Sequence, residues 1–163
     1  MRNDMIKVVV RALSALIFLS LSTQVYAGIQ DGVNAYNKKN YSAALSEFQP
    51  LADNGNAIAQ FHLGRMFEEG LGVKKDFVQA VDWYTKAAEQ GNALAQFRLG
   101  LSYAKSQGVP VDVILAYKWF SLAATAGDIQ AQIYAEKLEK GLTFQQLSAG
   151  RAQALMWKSR HNG

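Results

Sequence analysis

Apolar residues in the middle of this chain recur with the spacing of amphipathic helices. In the stretch from residue 57 to residue 92 they form two stripes, separated by the glycine-bearing segment EEGLGVKKD. Their spacing within each stripe places the members on one face of a helix. The first stripe contains Ala59, Leu63 and Phe67, and the second contains Phe77, Ala80, Val81, Tyr84, Ala87 and Ala88. The pattern therefore predicts a helix, a turn and a second helix.

The same unit then follows a second time. GNAIAQFHLG begins at residue 55 and GNALAQFRLG begins at residue 91, an offset of 36 residues, and the two segments agree at eight of ten positions. Residues 57–92 align with residues 93–128 without a gap. A fixed period of about 20–50 residues is typical of stacked supersecondary units. We therefore expect an all-α fold in which each repeat contributes two helices.

The ends of the predicted helices carry their own signals. The junctions between repeats read Gly-Asn or Gly-Asp, at residues 55–56, 91–92 and 127–128. Glycine suits the left-handed residue that ends a helix, and the Asn or Asp side chain can cap the helix that follows. Within the first repeat, Asp76 and Gln79 predict a capping box for the second helix. Asp112 keeps the same place in the next repeat, without the glutamine.

Small and aromatic residues recur at fixed places as well. The pairs Gly64/Ala80 and Gly100/Ala116 predict a close approach of the two helices, and we expect larger, branched side chains there to cost about 1–3 kcal/mol. Tryptophan also recurs, at Trp83, Trp119 and Trp157. We interpret these rings as core packing rather than as ligand-stacking surfaces, and expect truncation of either of the first two to cost about 3–5 kcal/mol.

The flanking segments are atypical copies of the repeat. Residues 28–56 predict a degenerate N-terminal repeat, and residues 129–163 predict a partial repeat followed by a C-terminal capping helix. Thr143 and Gln146 can form a capping box at the start of that last helix. Terminal repeats are expected to differ, because one face of an end helix meets water instead of a neighbour.

These residues resemble the Sel1-like repeat (SLR) family, a variant of the tetratricopeptide repeat with the approximate pattern AxAQxxLGxxYxxGxGVxxDxxxAxxWYxxAAxxGx. Residues 57–92 match nearly all of it, with Phe67 in place of tyrosine, and residues 93–128 depart from it at Ser106 and Phe120. The resemblance implies an α-solenoid of antiparallel helix pairs that binds proteins or peptides as an adaptor, commonly in bacterial envelope or host-interaction contexts. Cysteine-rich relatives have been linked with penicillin binding or β-lactam hydrolysis, but this chain has no cysteine, so that activity is not transferred.

The start of the chain predicts export. Basic residues precede an apolar run from residue 12 to residue 21, and Val25-Tyr26-Ala27 fits a signal-peptidase site. We therefore expect residues 1–27 to be a signal peptide, cleaved after Ala27, and the protein to be periplasmic or secreted. An uncleaved anchor is the alternative, but the run is well short of the about 20 residues that span a bilayer.

Composition narrows the chemistry. After the predicted signal, residues 28–163 carry 14 basic and 12 acidic groups, a balance that gives no support to a nucleic-acid partner. The absence of cysteine removes disulfides and thiolate sites. His62 and His161 are the only histidines; we expect a structural role for His62, and we expect neither a metal nor a cofactor.

A partner-binding surface is expected on the first helix of each repeat, because in stacked helix pairs these helices line the concave side. We call the candidate residues on the side away from the packing stripe the first-helix arc. They are Ile58, Phe61, Arg65, Glu69, Leu94, Phe97, Leu101, Lys105, Ile133 and Lys137. Phe61 and Phe97 stay open between groove anchors and core residues, because their identity in the two repeats favours packing while their angular position favours the groove.

Three functions fit this sequence. The leading hypothesis is a non-catalytic adaptor whose arc holds a peptide segment of an envelope protein, with Arg65, Lys105 and Lys137 selecting carboxylates. The second is a cell-wall-directed enzyme or sugar-binding protein that depends on His62. The third is a structural subunit that joins a larger envelope assembly through its end helices. Neither the partner nor the oligomeric state follows from the sequence.

Overall fold

The computed structural model describes residues 24–161, and all regular secondary structure within that range is helical. The helices are α1 (24–37), α2 (Tyr41–Asp53), α3 (Ala57–Glu69), α4 (Phe77–Glu89), α5 (Ala93–Lys105), α6 (Val113–Thr125), α7 (Ile129–Glu139) and α8 (Phe144–His161). The predicted signal peptide lies outside the described residues except for its last four, which belong to α1. Within the described range, no helix is both long and apolar enough to cross a membrane.

The helices stack in chain order. Each helix from α2 to α6 packs against the next one along the chain. The last helix departs from this order, because α8 packs against α6. The structure thus confirms the predicted all-α solenoid of helix pairs with a C-terminal capping helix.

The junctions between repeats have the predicted geometry. Gly55 and Gly91 adopt φ values of 88° and 84°, a left-handed conformation that favours glycine. The Asn56 side chain accepts hydrogen bonds from the backbone N–H groups of Ile58 and Ala59, both at 3.0 Å. Asn92 caps α5 by accepting from the Ala95 N–H at 3.0 Å. The Gly-Asn pair therefore ends one repeat and begins the next.

One of the two predicted capping boxes is only half formed. The Asp76 carboxylate caps α4, but the Gln79 amide donates to that carboxylate at 3.4 Å instead of bonding the backbone of Asp76. The reason is that the Asp76 N–H already donates to the Phe67 carbonyl at 2.9 Å. The box at the start of α8 is complete, since Thr143 and Gln146 exchange backbone-to-side-chain hydrogen bonds in both directions.

The glycines at 64 and 100 allow the close approach that the sequence predicted, although an aromatic ring fills the space. A Cβ atom on Gly64 would lie 2.5 Å from the Tyr84 ring, and one on Gly100 would lie 2.7 Å from the Phe120 ring. Each ring on the second helix thus rests directly on the backbone of the first helix. This contact joins the two helices of one repeat.

A buried amide joins one repeat to the next. Gln60 and Gln96 are both buried, and each side-chain amide donates to a backbone carbonyl eight residues earlier, at 3.1 Å. The acceptors are Ala52 and Ala88, which lie at the ends of α2 and α4. These bonds satisfy carbonyls that the end of a helix leaves without an intrahelical partner. The recurring Ala-Gln pair is therefore a stacking contact.

The tryptophans are core residues to different degrees. Trp119 and Trp157 are buried in one cluster with α4 residues such as Ala87 and Ala88. Trp83 is only partly buried, and the Lys86 ammonium lies 3.8 Å from its ring centre. The core interpretation holds fully for Trp119, whereas Trp83 keeps one face at the surface.

Candidate partner-binding surface

The first-helix arc divides into exposed and buried members. Three apolar side chains are about half exposed: Ile58 at 48%, Leu94 at 54% and Ile133 at 51%. Glu69, Lys105 and Lys137 are exposed, whereas Arg65 and Phe97 are partly buried. The exposed members lie on α3, α5 and α7, the first helices of three successive repeats.

Two predicted anchors are core residues. Phe61 is only 7% exposed, and its ring centre lies 6.1 Å from that of Tyr84 on α4. Leu101 is 9% exposed and belongs to the cluster around Phe120. Packing of the neighbouring helices covers both side chains, which corrects their assignment as groove anchors. Phe61 is thereby settled as core.

Phe97 is intermediate between the exposed members of the arc and the core residues. Its ring centre is 5.7 Å from that of Phe120 and 5.6 Å from that of Tyr134. The side chain remains partly exposed and packs against the last cluster of the core. Its ring contacts are therefore with the core, and part of the side chain remains exposed.

The three basic residues of the arc have different surroundings. The Arg65 guanidinium lies 3.2 Å from the Glu69 carboxylate and 5.0 Å from the centre of the Tyr36 ring. Its charge is thus already shared with an acidic neighbour. Lys105 and Lys137 make no ion pair within residues 24–161. A partner carboxylate would therefore meet these two lysines first.

His62 is held in an aromatic setting. Its ring stacks on Phe48 with centres 4.6 Å apart and planes 4° apart, and Tyr36 and Phe61 lie nearby. Burial, followed by the charge of Arg65, lowers the pKa of His62 to about 4. The imidazole is thus neutral at neutral pH, and its buried Nδ1 atom has no hydrogen-bond partner among the described residues. This environment agrees with the structural role expected for His62.

A polar bridge between the two full repeats was not predicted. The Tyr84 hydroxyl donates to the Glu68 carboxylate at 2.6 Å, and the Arg98 guanidinium donates to the same oxygen at 3.5 Å. Burial, and next the hydrogen bond with Glu68, raise the pKa of Tyr84 above its ordinary value, so the phenol stays a donor. These three residues are 16 and 30 positions apart, and no local motif connects them.

A second polar group fastens α8 to the middle of the chain. The Trp157 indole donates to Glu89 at 2.8 Å, and the Lys118 ammonium lies 3.9 Å from the same carboxylate group. Burial lowers the pKa of Lys118, and Glu89 partly opposes that shift. We interpret this group as structural, because each member contacts another helix of the same chain. Among the described residues, no cluster of His, Asp and Glu could hold a metal ion.

The two full repeats match a known repeat family. Residues 57–92 and 93–128 each match the Sel1 repeat. The chain contains two tandem Sel1 repeats. It resembles the crystal structure of a protective antigen present in uropathogenic Escherichia coli strains that displays an SLR fold, with a TM-score of 0.80, 32% identity, and coverage of 84% of this chain and 30% of that one.

A second solved structure supports the same grouping. The chain superposes on a Sel1 repeat protein from Oxalobacter formigenes with a TM-score of 0.67 and 32% identity, covering 80% of this chain and 54% of that one. The chain thus spans less than two thirds of either relative. No curated protein matches its sequence significantly. The comparisons agree with the solenoid seen here and with a scaffold type of protein.

Proposed function

We propose that this protein is an exported, non-catalytic adaptor that binds a polypeptide segment along its first-helix arc. The bacterial cell envelope is the setting that its predicted signal peptide favours, and similarity to a protective antigen supports a place outside the cytoplasm. The stacked repeats supply a rigid row of first helices. A segment lying across that row would contact several repeats at once.

The observation that carries the proposal is the exposure of Ile58 and Leu94. These residues hold the same position in successive repeats, and each leaves about half of its apolar side chain in water. Exposed apolar residues arranged in a row are typical of interaction surfaces. On α7, Ile133 is also about half exposed, at the repeat position of Phe97. Lys105 and Lys137 add positive charge along the row, which favours a partner segment with carboxylates.

Site-specific photocrosslinking tests the proposed surface. We expect a benzophenone residue at Leu94 to capture an envelope protein in intact cells, and the double change Ile58→Ser with Leu94→Ser to remove the capture of that same protein by an affinity tag. The matched control is Val78, which is 58% exposed but lies on α4, a second helix. Equal crosslinking from Val78 and Leu94 would rule out a specific surface on the arc.

Charge reversal tests the electrostatic part separately. We expect Arg65→Glu with Lys105→Glu to weaken capture of the identified partner, mainly through slower association, because surface charges act largely on the rate of encounter. Thermal unfolding of the double variant serves as the folding control. Unchanged capture and unchanged stability would together exclude these basic residues from recognition.

Export is tested by the mature N-terminus. We expect protein recovered from the periplasm or medium to begin at Gly28, because cleavage is predicted after Ala27. Sequencing of the N-terminus measures this directly. A product that retains residues 1–27 and stays with the membrane would support the uncleaved anchor instead.

The outer face of α8 favours a second candidate, a subunit that joins a larger assembly. Phe144 is 86% exposed, and Leu155 and Met156 are also exposed on the same helix. Under this alternative, the double variant Phe144→Ser with Leu155→Ser would dissociate the assembly without lowering the melting temperature of the subunit. Size-exclusion chromatography with light scattering would detect the change. An unchanged assembly would favour the adaptor function over the assembly-subunit function.

A further inference from the structure

The polar bridge of the first full repeat has no counterpart in the second. Glu68, Tyr84 and Arg98 connect the first full repeat to the second. The residues 36 positions later are Ala104, Phe120 and Tyr134. The carboxylate, the phenol and the guanidinium are thus replaced by a methyl group and two rings. The Glu68 side chain lies between its two donors, and the corresponding residue of the second repeat is alanine, the shortest side chain with a Cβ atom.

A cavity of about 430 Å³ lies at this altered interface. We call it the terminal pocket; its walls include Ala104, Val113, Phe120, Tyr134, Lys137 and Leu138, and the turn after α7 closes one side. The walls are mainly apolar, with a lysine among them. A volume of about 300–1,000 Å³ with apolar walls and a few polar groups is typical of ligand sites. Ala104 and Lys137 also connect the pocket to the first-helix side of the solenoid.

Lys137 is the one charged residue among the described lining residues of the terminal pocket. Of the residues next in sequence to the lining, Lys105 and Lys140 are basic, whereas Glu136 and Glu139 are acidic. Glu139 is paired with Arg151, and Glu136 accepts a hydrogen bond from Gln132. None of the three lysines makes an ion pair within residues 24–161. The nearby Asp112 carboxylate already accepts two backbone N–H groups as the cap of α6.

Helix dipoles do not oppose this charge. The ends of α5 and α7 and the starts of α6 and α8 all reach the terminal pocket. Two negative and two positive helix ends roughly offset one another. Lys137, the charged residue in the wall, therefore makes the pocket favour an anionic ligand.

From these features we infer that the terminal pocket binds the C-terminal apolar residue of a partner polypeptide. Its side chain would enter between Tyr134 and Leu138, which are partly exposed, and its α-carboxylate would meet Lys137. A C-terminal residue carries the apolar group and the carboxylate on one Cα atom, which suits a single cavity with a cation in its wall. The choice of a polypeptide as the ligand rests on the proposed adaptor function, whereas the geometry of the pocket is independent of that function.

Two small probes test this inference without a natural partner. N-acetyl-leucine presents a leucine side chain with a free carboxylate, and N-acetyl-leucine amide presents the same side chain without the charge. We expect titration of N-acetyl-leucine to shift the backbone amide NMR signals of Leu138, Gly141 and Leu142. The amide should bind about fivefold more weakly, the upper end for an exposed ion pair.

Matched variants locate the binding. Ala104→Leu should fill the terminal pocket and abolish the shifts, while Ala126→Leu, at an exposed position, should preserve them. Lys137→Gln should remove the difference between the acid and the amide, while Lys74→Gln, at an exposed site in the α3–α4 turn, should keep it. Because Lys137 is exposed, Lys137→Gln should fold normally, and it therefore tests the inference even if Ala104→Leu fails to fold.

Two results would overturn the inference. Absence of any probe binding in the folded wild-type protein would show that the terminal pocket is not a ligand site. Tighter binding of decanoate than of either leucine probe, lost in Ala104→Leu, would assign the pocket to free amphiphiles rather than to a chain terminus. Neither result depends on crosslinking at Leu94, so the adaptor proposal can fail or stand by itself.

Discussion

At the scale of single residues, buried polar side chains explain why the repeats agree where they do. Gln96 is nearly inaccessible to solvent and donates to the Ala88 carbonyl at 3.1 Å. The corresponding Gln132 on α7 is exposed and instead bonds Glu136, one turn further along its own helix. The same residue type is therefore a stacking contact in one repeat and a surface residue in the next.

Gln96→Leu tests this difference. We expect it to lower the free energy of unfolding by about 1 kcal/mol, because the stacking contact loses a buried hydrogen bond and the Ala88 carbonyl keeps the Gly91 N–H as its donor. Gln132→Leu is the matched control and should change stability by less than about 0.5 kcal/mol, as is usual for surface substitutions. Urea unfolding followed by circular dichroism measures both. Equal losses in the two variants would contradict the stacking role.

His62 predicts a pH dependence of stability. Its pKa is lowered from 6.5 to about 4 in the folded protein, so the unfolded chain binds the extra proton first. Stability should therefore be complete above about pH 6.5 and decrease as the pH falls towards 4, by about 2 kcal/mol allowing for partial exposure. His62→Phe, which can keep the stack on Phe48, should flatten the slope between pH 7 and 5. An equal pH dependence of stability in the wild type and the variant would exclude His62 as the source of that dependence.

At the scale of helices and turns, the glycine pattern of the repeat has a tertiary cause. Gly108 lies in the α5–α6 turn with φ at 78°, and a Cβ atom there would lie 2.1 Å from the carbonyl oxygen of Phe77, the first residue of α4. Gly72 likewise lies against Tyr41 at the start of α2. Each turn thus rests on the start of the preceding second helix, and the spacing of repeats depends on that contact.

Gly108→Ala and Gly127→Ala separate the clash from the backbone conformation. Gly127 also has a positive φ, of 96°, but nothing lies within 4 Å of the position of its Cβ. We expect Gly127→Ala to cost about 1–2 kcal/mol, the penalty for a left-handed non-glycine residue. Gly108→Ala should cost clearly more, because backbone atoms of α4 must also move. Thermal unfolding that shows the two variants equal would disprove the contact.

At the scale of the whole molecule, α8 acts as more than an end cap. Trp157 is buried and donates to Glu89, 68 residues earlier in the chain. The Arg151 guanidinium lies 3.1 Å from Glu139, and that carboxylate also accepts from the Tyr117 hydroxyl. These hydrogen bonds, with the Arg151 charge, lower the pKa of Glu139. The last helix therefore connects the final repeat to the centre of the solenoid.

Trp157→Ala measures that connection. We expect a loss of about 3–5 kcal/mol, typical of a large aromatic side chain removed from a core. Met156→Ala is the matched control, because Met156 precedes Trp157 in the same helix and is exposed; it should be nearly neutral. Differential scanning calorimetry would compare the two. A small effect of Trp157→Ala would show that the repeats are stable without α8 docking.

Local interactions explain how much of this fold follows from the sequence by itself. The helices, their Asn and Asp caps, the left-handed glycines and the repeat period depend on residues within a few positions of one another, and these predictions are confirmed. Stacking also follows from the period, because each helix pair must bury its apolar face on the next. The adaptor class was an expectation of the same kind, based on the resemblance and compatible with the comparisons.

Tertiary structure alone decided which side chains of the first-helix arc remain accessible. Phe61 and Leu101 have the angular position of groove residues, yet neighbouring helices cover them, while Ile58 and Leu94 stay half exposed. The polar bridge and the terminal pocket likewise depend on residues from different repeats, brought together only when the helices stack. A helical period assigns a face to each side chain, but burial depends on what packs against that face.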